Sequence, residues 1–453
     1  MMSAQRPQHA AGATSGDIGA VLDAPAAGHR RTLVVLVCFL IVAFEGFDAA
    51  IIGFLAPQIA ARFGGSPAQV ATAIAAGMLG LLIGYMGSGR IADAKGRRPV
   101  LVAGTLLFGA ASIATAFSGS LQQLTAWRLM TGVGVGAAMP AVAALLAEIL
   151  PAGKKPAILT GVFCGFLLGS ALAGILTGHL IEPIGWSGMF VLGGLAPLLW
   201  VPVVLAVVPE SPRFLVQRGA SQDRIRHALR RLGVAVREDA CFEMPSGRHG
   251  VAQRGVLALF DAGLGRATVL LWTLSFLILG TFYVIASWLP TLIGNAGVTV
   301  AAASKTASLF QSGGLAGAVV AAWVIQRLPP LKIVSVALLA GAAMPLWVAS
   351  PASLPLYAVG VFMAGFLIGG PIVVISAVSA LAYPTAVRSV GVGWASGLGR
   401  LGSFASAGST GWVVQAGVPL NQVIAWLALA VLACALLAFF LSRAQRETGV
   451  IES

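Results

Sequence analysis

Two carboxylates, Glu45 and Asp48, stand in the middle of an otherwise apolar run from Thr32 to Pro57. A charged side chain near a bilayer centre is expensive, so a chain keeps one there chiefly for an ion, a proton or a substrate path. Three residues apart, the two acids share a helix face and lie about 5 Å apart along its axis. The plainer alternative is a pair of helix-end residues dipping into interfacial water. Arg128 is the cation at matching depth. If its segment runs inward, it lies about 10 Å below the outer surface, and the acids lie about 20 and 24 Å up theirs from the inner side. Arg400 lies about 18 Å along its segment from Arg388, near the midplane if Arg388 sits at the inner mouth. A planar guanidinium there suits bidentate contact with a carboxylate, although it could also serve as counter-ion to a buried acid. Glu148, near the inner end of its segment, reads as a gate residue, and Arg388 as a gate or topology determinant.

The elements that must hold these groups are membrane helices. The chain is 58% hydrophobic and 9% charged, against roughly 45–50% and 25% in a soluble domain. Apolar segments of spanning length fall near 32–57, 68–89, 100–118, 121–149, 157–181, 187–208, 266–293, 303–326, 332–350, 354–382, 389–416 and 420–442. The expected fold is therefore an all-α membrane protein with twelve transmembrane helices in two six-helix halves. Residues 1–31 read as a disordered tail without a secretory signal, 32–208 as the N-terminal half, 209–265 as a linker, 266–442 as the C-terminal half and 443–453 as a second tail. Within the linker, Ser221 to Gly233 has the pattern of a basic amphipathic helix. The net charge of +13 does not indicate nucleic acid, because the basic residues fall in alternate connections: Arg30 and Arg31, Arg90 to Arg98, Lys154 and Lys155, Arg213 to Arg254, Arg327 and Lys332, Arg443 and Arg446. By the positive-inside rule both termini and the linker are cytoplasmic. The four cysteines show no paired spacing and read as small hydrophobes. No nucleophile and base pair, metal cluster or phosphate-cradling loop supports an enzyme.

The halves echo each other at an offset of about 230 residues, as repeated transporter halves do: Gly132, Gly134, Gly136 and Pro140 against Gly365, Gly369, Gly370 and Pro371. Between the second and third segments stands Gly89-Arg90-Ile91-Ala92-Asp93-Ala94-Lys95-Gly96-Arg97-Arg98. Here Gly89 would let two helices touch, Gly96 would permit a tight reversal, and Asp93 could hold Arg97 or a neighbouring helix terminus in one end state. This stretch, with Arg128 to Gly136 and Pro209-Glu210-Ser211-Pro212-Arg213, resembles the signatures of the major facilitator superfamily. Ala94 and Lys95 stand where a basic and an apolar residue are usual. Tyr383-Pro384-Thr385-Ala386-Val387-Arg388, Gly397-Leu398-Gly399-Arg400-Leu401-Gly402, Glu45-Gly46-Phe47-Asp48, Trp288-Leu289-Pro290 and Phe310-Gln311-Ser312-Gly313-Gly314 resemble the aromatic acid:proton symporters within it. Asp48 matches that pattern, whereas Glu45 stands where relatives usually carry aspartate.

The resemblance implies a proton-coupled symporter that takes up a hydroxybenzoate- or protocatechuate-like carboxylate across the bacterial inner membrane by alternating access. It would use no cofactor beyond the proton gradient and would work as a monomer in the lipid bilayer. Asp48 and Glu45 would couple protons, and Arg400, Arg128, Tyr283, Trp394 and Gln311 would bind substrate. Gly89, Asp93, Gly96, Arg97, Arg98, Glu148 and Arg388 would form the cytoplasmic gate. A facilitator or exporter of another small organic anion is the alternative, and a non-transporting aromatic-acid sensor is the rival from outside transport.

Overall fold

The computed structural model of the chain describes residues 16–23, 28–151, 153–243, 256–260, 264–295, 297–325, 327–350, 353–383 and 388–447. A short strand β1 (Gly16–Asp17) and helix α1 (Ile18–Asp23) precede α2 (Gly28–Arg62), α3 (Pro67–Lys95), α4 (Arg97–Ala116), α5 (Leu121–Ile149) and α6 (Lys155–Val207). The linker contributes α7 (Pro212–Gln217), α8 (Gln222–Arg231) and β2 (Phe242–Glu243). There follow α9 (Gly265–Gly294), α10 (Val300–Val324), α11 (Pro330–Gly341), α12 (Met344–Ala349), α13 (Leu354–Ala364), a π-turn at Gly365–Gly369, α14 (Gly370–Leu381), α15 (Arg388–Gln415) and α16 (Leu420–Glu447).

Ten of the described helical segments are long and apolar enough to cross a membrane. At about 1.5 Å per residue, the 53 residues of α6 make a rod more than twice the roughly 30 Å of a hydrocarbon core. Gly185, at φ 64° and ψ −178°, breaks it into two, between the fifth and sixth expected spans. The eleventh span, α15, falls outside the ten because glycine, serine and Arg400 dilute its apolar residues. With α6 divided and α15 added, the twelve expected spans are present, α11 with α12 and α13 with α14 each making one.

Because successive spans alternate in direction, one face of the bundle carries the start of α2, the α3–α4 and α5–α6 turns, and the linker. We call it the linker face and its opposite the far face. Within the N-terminal half, glycines set the closest approaches: a Cβ on Gly132 or Gly136 would fall inside the carbonyl of Gly77 or Leu81 on α3. Gly365 and Gly370, their echoes in the tenth span, press likewise on the backbone of Phe310 and Gly317. Such backbone contact is how helices gain dispersion energy where no hydrophobic force draws them together.

The halves meet through α2 with α9, α3 with α15, and α6 with α10. These meetings lie toward the far face, where a Cβ on Gly53, Gly174 or Gly178 would strike Ser287, Ser308 or the Lys305 stem, and where Gly408 nears Ala75. Toward the linker face, Gly87, Gly89, Gly161, Gly393 and Gly397 have no neighbouring heavy atom within 4 Å of a Cβ position. Among the described residues, the tightest glycine contacts between the halves lie toward the far face. Gly89, expected to let two helices touch, does not do so in this state.

The stretch read as a disordered N-terminal tail is partly built into the fold. β1 pairs in parallel with β2, Gly16 opposite Phe242 and Asp17 opposite Glu243. Ile18 and Leu22 are buried in one cluster with Phe214, Leu215, Ile225, Leu229 and Phe242. Arg31 donates to the Leu22 carbonyl at 2.7 Å and Arg30 to that of Arg230 at 2.8 Å. The amphipathic helix expected at Ser221–Gly233 is α8, but its apolar face of Ile225, Ala228 and Leu229 packs into this cluster. The linker thus folds with the N-terminal segment against one half.

Candidate functional site

Asp48, deep in α2, is held on all sides. Arg128 of α5 grips it with two parallel bonds, Nη1 to Oδ1 at 3.0 Å and Nη2 to Oδ2 at 2.8 Å. Nη2 also reaches the Asp48 carbonyl at 3.3 Å. Ser112 of α4 donates to Oδ1 at 2.9 Å, and the guanidinium lies 5.5 Å from the Phe190 ring centroid. Both side chains are buried, at 5% and 2% exposure. A fork-on-fork pair with a third donor joins three helices of one half and leaves Oδ1 and Oδ2 each engaged.

Glu45 lies less than one turn away and is treated differently. It is buried, yet its Oε1 has no hydrogen-bond partner. The charges within electrostatic reach are Arg400, a cation from the opposite half, and Asp48 on the same helix. Arg400 of α15 donates through Nη1 to the Tyr283 hydroxyl of α9 at 3.0 Å, and Tyr85 of α3 is a third group in its field. The Tyr283 ring meets Phe166 edge-on at 6.4 Å and Phe282 at 5.5 Å. Gly46, beside Glu45, is pressed against the Phe166 backbone. The Phe282 ring in turn lies 5.4 Å from that of Phe310, next to Gln311, which is buried with its Oε1 unpartnered. Glu45, Arg400 and Tyr283 thus belong to one midplane group drawn from both halves, joined through Phe282 and Phe310 to the α10 turn that carries Gln311.

Trp394 is not brought to that group. Its ring is 47% exposed and stacks on Trp272 at 5.6 Å. Trp272 precedes Tyr283 by eleven residues on α9, about 16 Å nearer the linker face.

The expected gate residues converge on the linker face of the N-terminal half. Arg97 bonds Glu148 through Nε at 3.1 Å and Nη2 at 2.9 Å, and bonds Asp93 at 3.2 Å. Glu210 accepts from the backbone amides of Arg97 and Arg98 at 3.0 and 3.4 Å. Gly96 turns at φ 105°, and a Cβ there would collide with the Glu210 carboxylate. Arg218 closes the ring by donating to the Asp93 and Ala94 carbonyls at 2.7 and 2.9 Å. Among the described residues, the network ties α3, α4, α5 and the segment around α7 of one half together. Arg388 starts α15, but its side chain lies outside the described positions, as do Pro384 to Val387 of the expected motif.

Ser112 and Tyr85 were not singled out from the sequence. Ser112 is one of three hydroxyls in an apolar helix, with Thr105 and Thr115, a common sight in membrane helices. Only the packing of α4 against α5 and α6 turns it toward Asp48.

A model of the Major Facilitator Superfamily matches residues 38–407. The chain belongs to the major facilitator superfamily. Within the superfamily it is 36% identical over 415 residues to the 4-hydroxybenzoate transporter PcaK of Pseudomonas aeruginosa, covering 91% of this chain and 93% of that one. It is equally 36% identical, over 410 residues, to a gallate transporter of Pseudomonas putida, covering 89% and 90%. The xylose transporter XylE of E. coli, in a partially occluded inward-open conformation, superposes with a TM-score of 0.70 at 17% identity over 91% of this chain and 97% of that one. That likeness establishes the facilitator fold in a multi-pass membrane protein.

Proposed function

We propose that the chain is a symporter that carries a hydroxybenzoate-like aromatic carboxylate together with one proton into a bacterial cell across the inner membrane, with the linker face in the cytoplasm. The observation that carries this reading is a buried acid, Glu45, within electrostatic reach of a partly buried guanidinium from the other half, Arg400, in the midplane aromatic group. The names of the relatives supply the substrate class.

Coupling follows from charge. An uncompensated buried charge is costly enough to oppose closure of the cavity around it. With Glu45 ionised against Arg400, the empty site is neutral and the carrier reorients. A substrate carboxylate on Arg400 brings a negative charge, and a proton on Glu45 removes one, so the doubly loaded site is neutral too. Either ligand alone leaves a net charge and holds the carrier open. Tyr283 and Phe166 supply ring contacts of the kind worth about 0.5–1.5 kcal/mol each beyond burial. The pair Asp48–Arg128 has both carboxylate oxygens and both terminal guanidinium nitrogens engaged within one half, and acts as a fixed joint of the N-terminal half. The proton role therefore falls to Glu45 rather than Asp48.

The test is Glu45→Gln in proteoliposomes. That variant is neutral only when loaded, so it should exchange labelled 4-hydroxybenzoate across the membrane but fail to accumulate it when a pH gradient is imposed. Gradient-driven accumulation by Glu45→Gln would overturn the assignment.

A further inference from the structure

The midplane group leads to a second polar end that the coupling scheme does not use. Gln311 is 3% exposed, and among the described residues its carboxamide oxygen accepts no hydrogen bond. The hydroxyls nearest to it on α10 are already committed to backbone carbonyls: Ser308 to Lys305 at 2.7 Å and Ser312 to Ser308 at 3.1 Å. An unsatisfied buried acceptor carries the full desolvation penalty of the group, and native structures keep few of them. Tyr283, the other group that could meet a ring substituent, has its oxygen engaged by Arg400 at 3.0 Å.

The ring contacts fix where Gln311 lies relative to the charged end. Arg400 binds Tyr283, Tyr283 meets Phe282, and Phe282 meets Phe310, the residue before Gln311. Arg400 and Gln311 are thus at opposite ends of an aromatic train, on α15 and α10 of the same half. One is a cation suited to a carboxylate and the other an acceptor suited to a donor.

We infer that Gln311 selects substrates that carry a hydrogen-bond donor on the ring, remote from the carboxylate, by accepting that donor at its Oε1. This rests on the reading of the midplane group as the aromatic-carboxylate site. A pocket built to hydrogen-bond a hydroxyl discriminates against the analogue that lacks it, because the site's own polar group is then left unpaired. For one neutral bond the expected preference is about tenfold. An acceptor also distinguishes a donor from a mere oxygen: 4-hydroxy- and 4-aminobenzoate fit, whereas benzoate and 4-methoxybenzoate do not.

Competition by these four acids against labelled 4-hydroxybenzoate, in proteoliposomes of the wild type and of Gln311→Leu, tests the inference. The wild type should favour the two donors about tenfold over the two non-donors. Gln311→Leu should erase that gap by weakening the donors while benzoate competes as well as before or better. Equal competition by all four acids against the wild type would overturn it, whatever the fate of the variant. So would a loss of benzoate and 4-hydroxybenzoate in equal measure in a well-folded variant, since Gln311 would then be structural. Failure of the wild type to take up any of the four would instead sink the proposed function itself.

Discussion

Charge neutrality at Glu45 and Arg400 makes a quantitative demand on the driving force. One proton on Glu45 and one carboxylate on Arg400 carry no net charge across the membrane. A potential acts with about 2.3 kcal/mol per elementary charge per 100 mV, which is about fiftyfold in an equilibrium constant. If two protons accompanied each monoanion, 100 mV negative inside would therefore raise accumulation about fiftyfold, and if none did, it would lower accumulation by the same factor. With one proton the factor is one, while each unit of pH difference, acidic outside, gives about tenfold accumulation. The assay is uptake of labelled 4-hydroxybenzoate into proteoliposomes in which valinomycin and potassium set the potential and the buffers set the pH difference independently. Steady-state accumulation should follow the pH difference and ignore the potential. A dependence on potential near fiftyfold per 100 mV would refute the pairing of one titrating acid with one anion site. It would also bring Asp48 back as a second proton carrier.

Two further outcomes separate fixed from mobile parts. Asp48→Asn leaves Arg128 buried without its counter-charge, a loss of about 3–5 kcal/mol, and Glu45→Gln removes a charge whose Oε1 has no partner. The denaturation midpoint in detergent should fall sharply for the first and hold or rise for the second, and the reverse order would contradict the joint-and-carrier division. Gly174→Leu places bulk against Ser308 and Phe54 toward the far face and should shift the carrier toward opening there. In a cysteine-free background, labelling of Gly161→Cys from the linker face should then drop several-fold, and unchanged labelling would show that the far-face contact does not govern the state.

Most of the fold is legible because the bilayer reduces folding to a few rules. Helix length, apolar runs and the placement of arginines locate the spans, and the one helix too long to be a single span breaks at a glycine between two of them. The misreadings have a common origin. Residues 16–23 and the linker look featureless because their apolar residues, Ile18, Leu22, Phe214 and Leu229, are few and far apart in sequence. They form a cluster only when β1 meets β2. Trp394 fails for a related reason. On a helix in a membrane protein, an aromatic residue serves equally well facing lipid, a partner ring or a cavity, and its type says nothing of which.

The pair that first draws the eye shows the limit most clearly. Glu45 and Asp48 are alike in charge, burial and helix face, and the sequence pattern, if anything, favours Asp48. What separates them is the count of donors around each. Asp48 has Arg128 on both oxygens and Ser112 on one, whereas Glu45 has an orphaned oxygen and a cation supplied by the other half. A proton site that drives alternating access needs a carboxylate whose surroundings change when the halves move. A carboxylate locked to its own half experiences nearly the same field in both end states and so couples to neither. In the proposed coupling, the partner's location, in the same half or across from it, is what assigns the proton to Glu45 rather than Asp48.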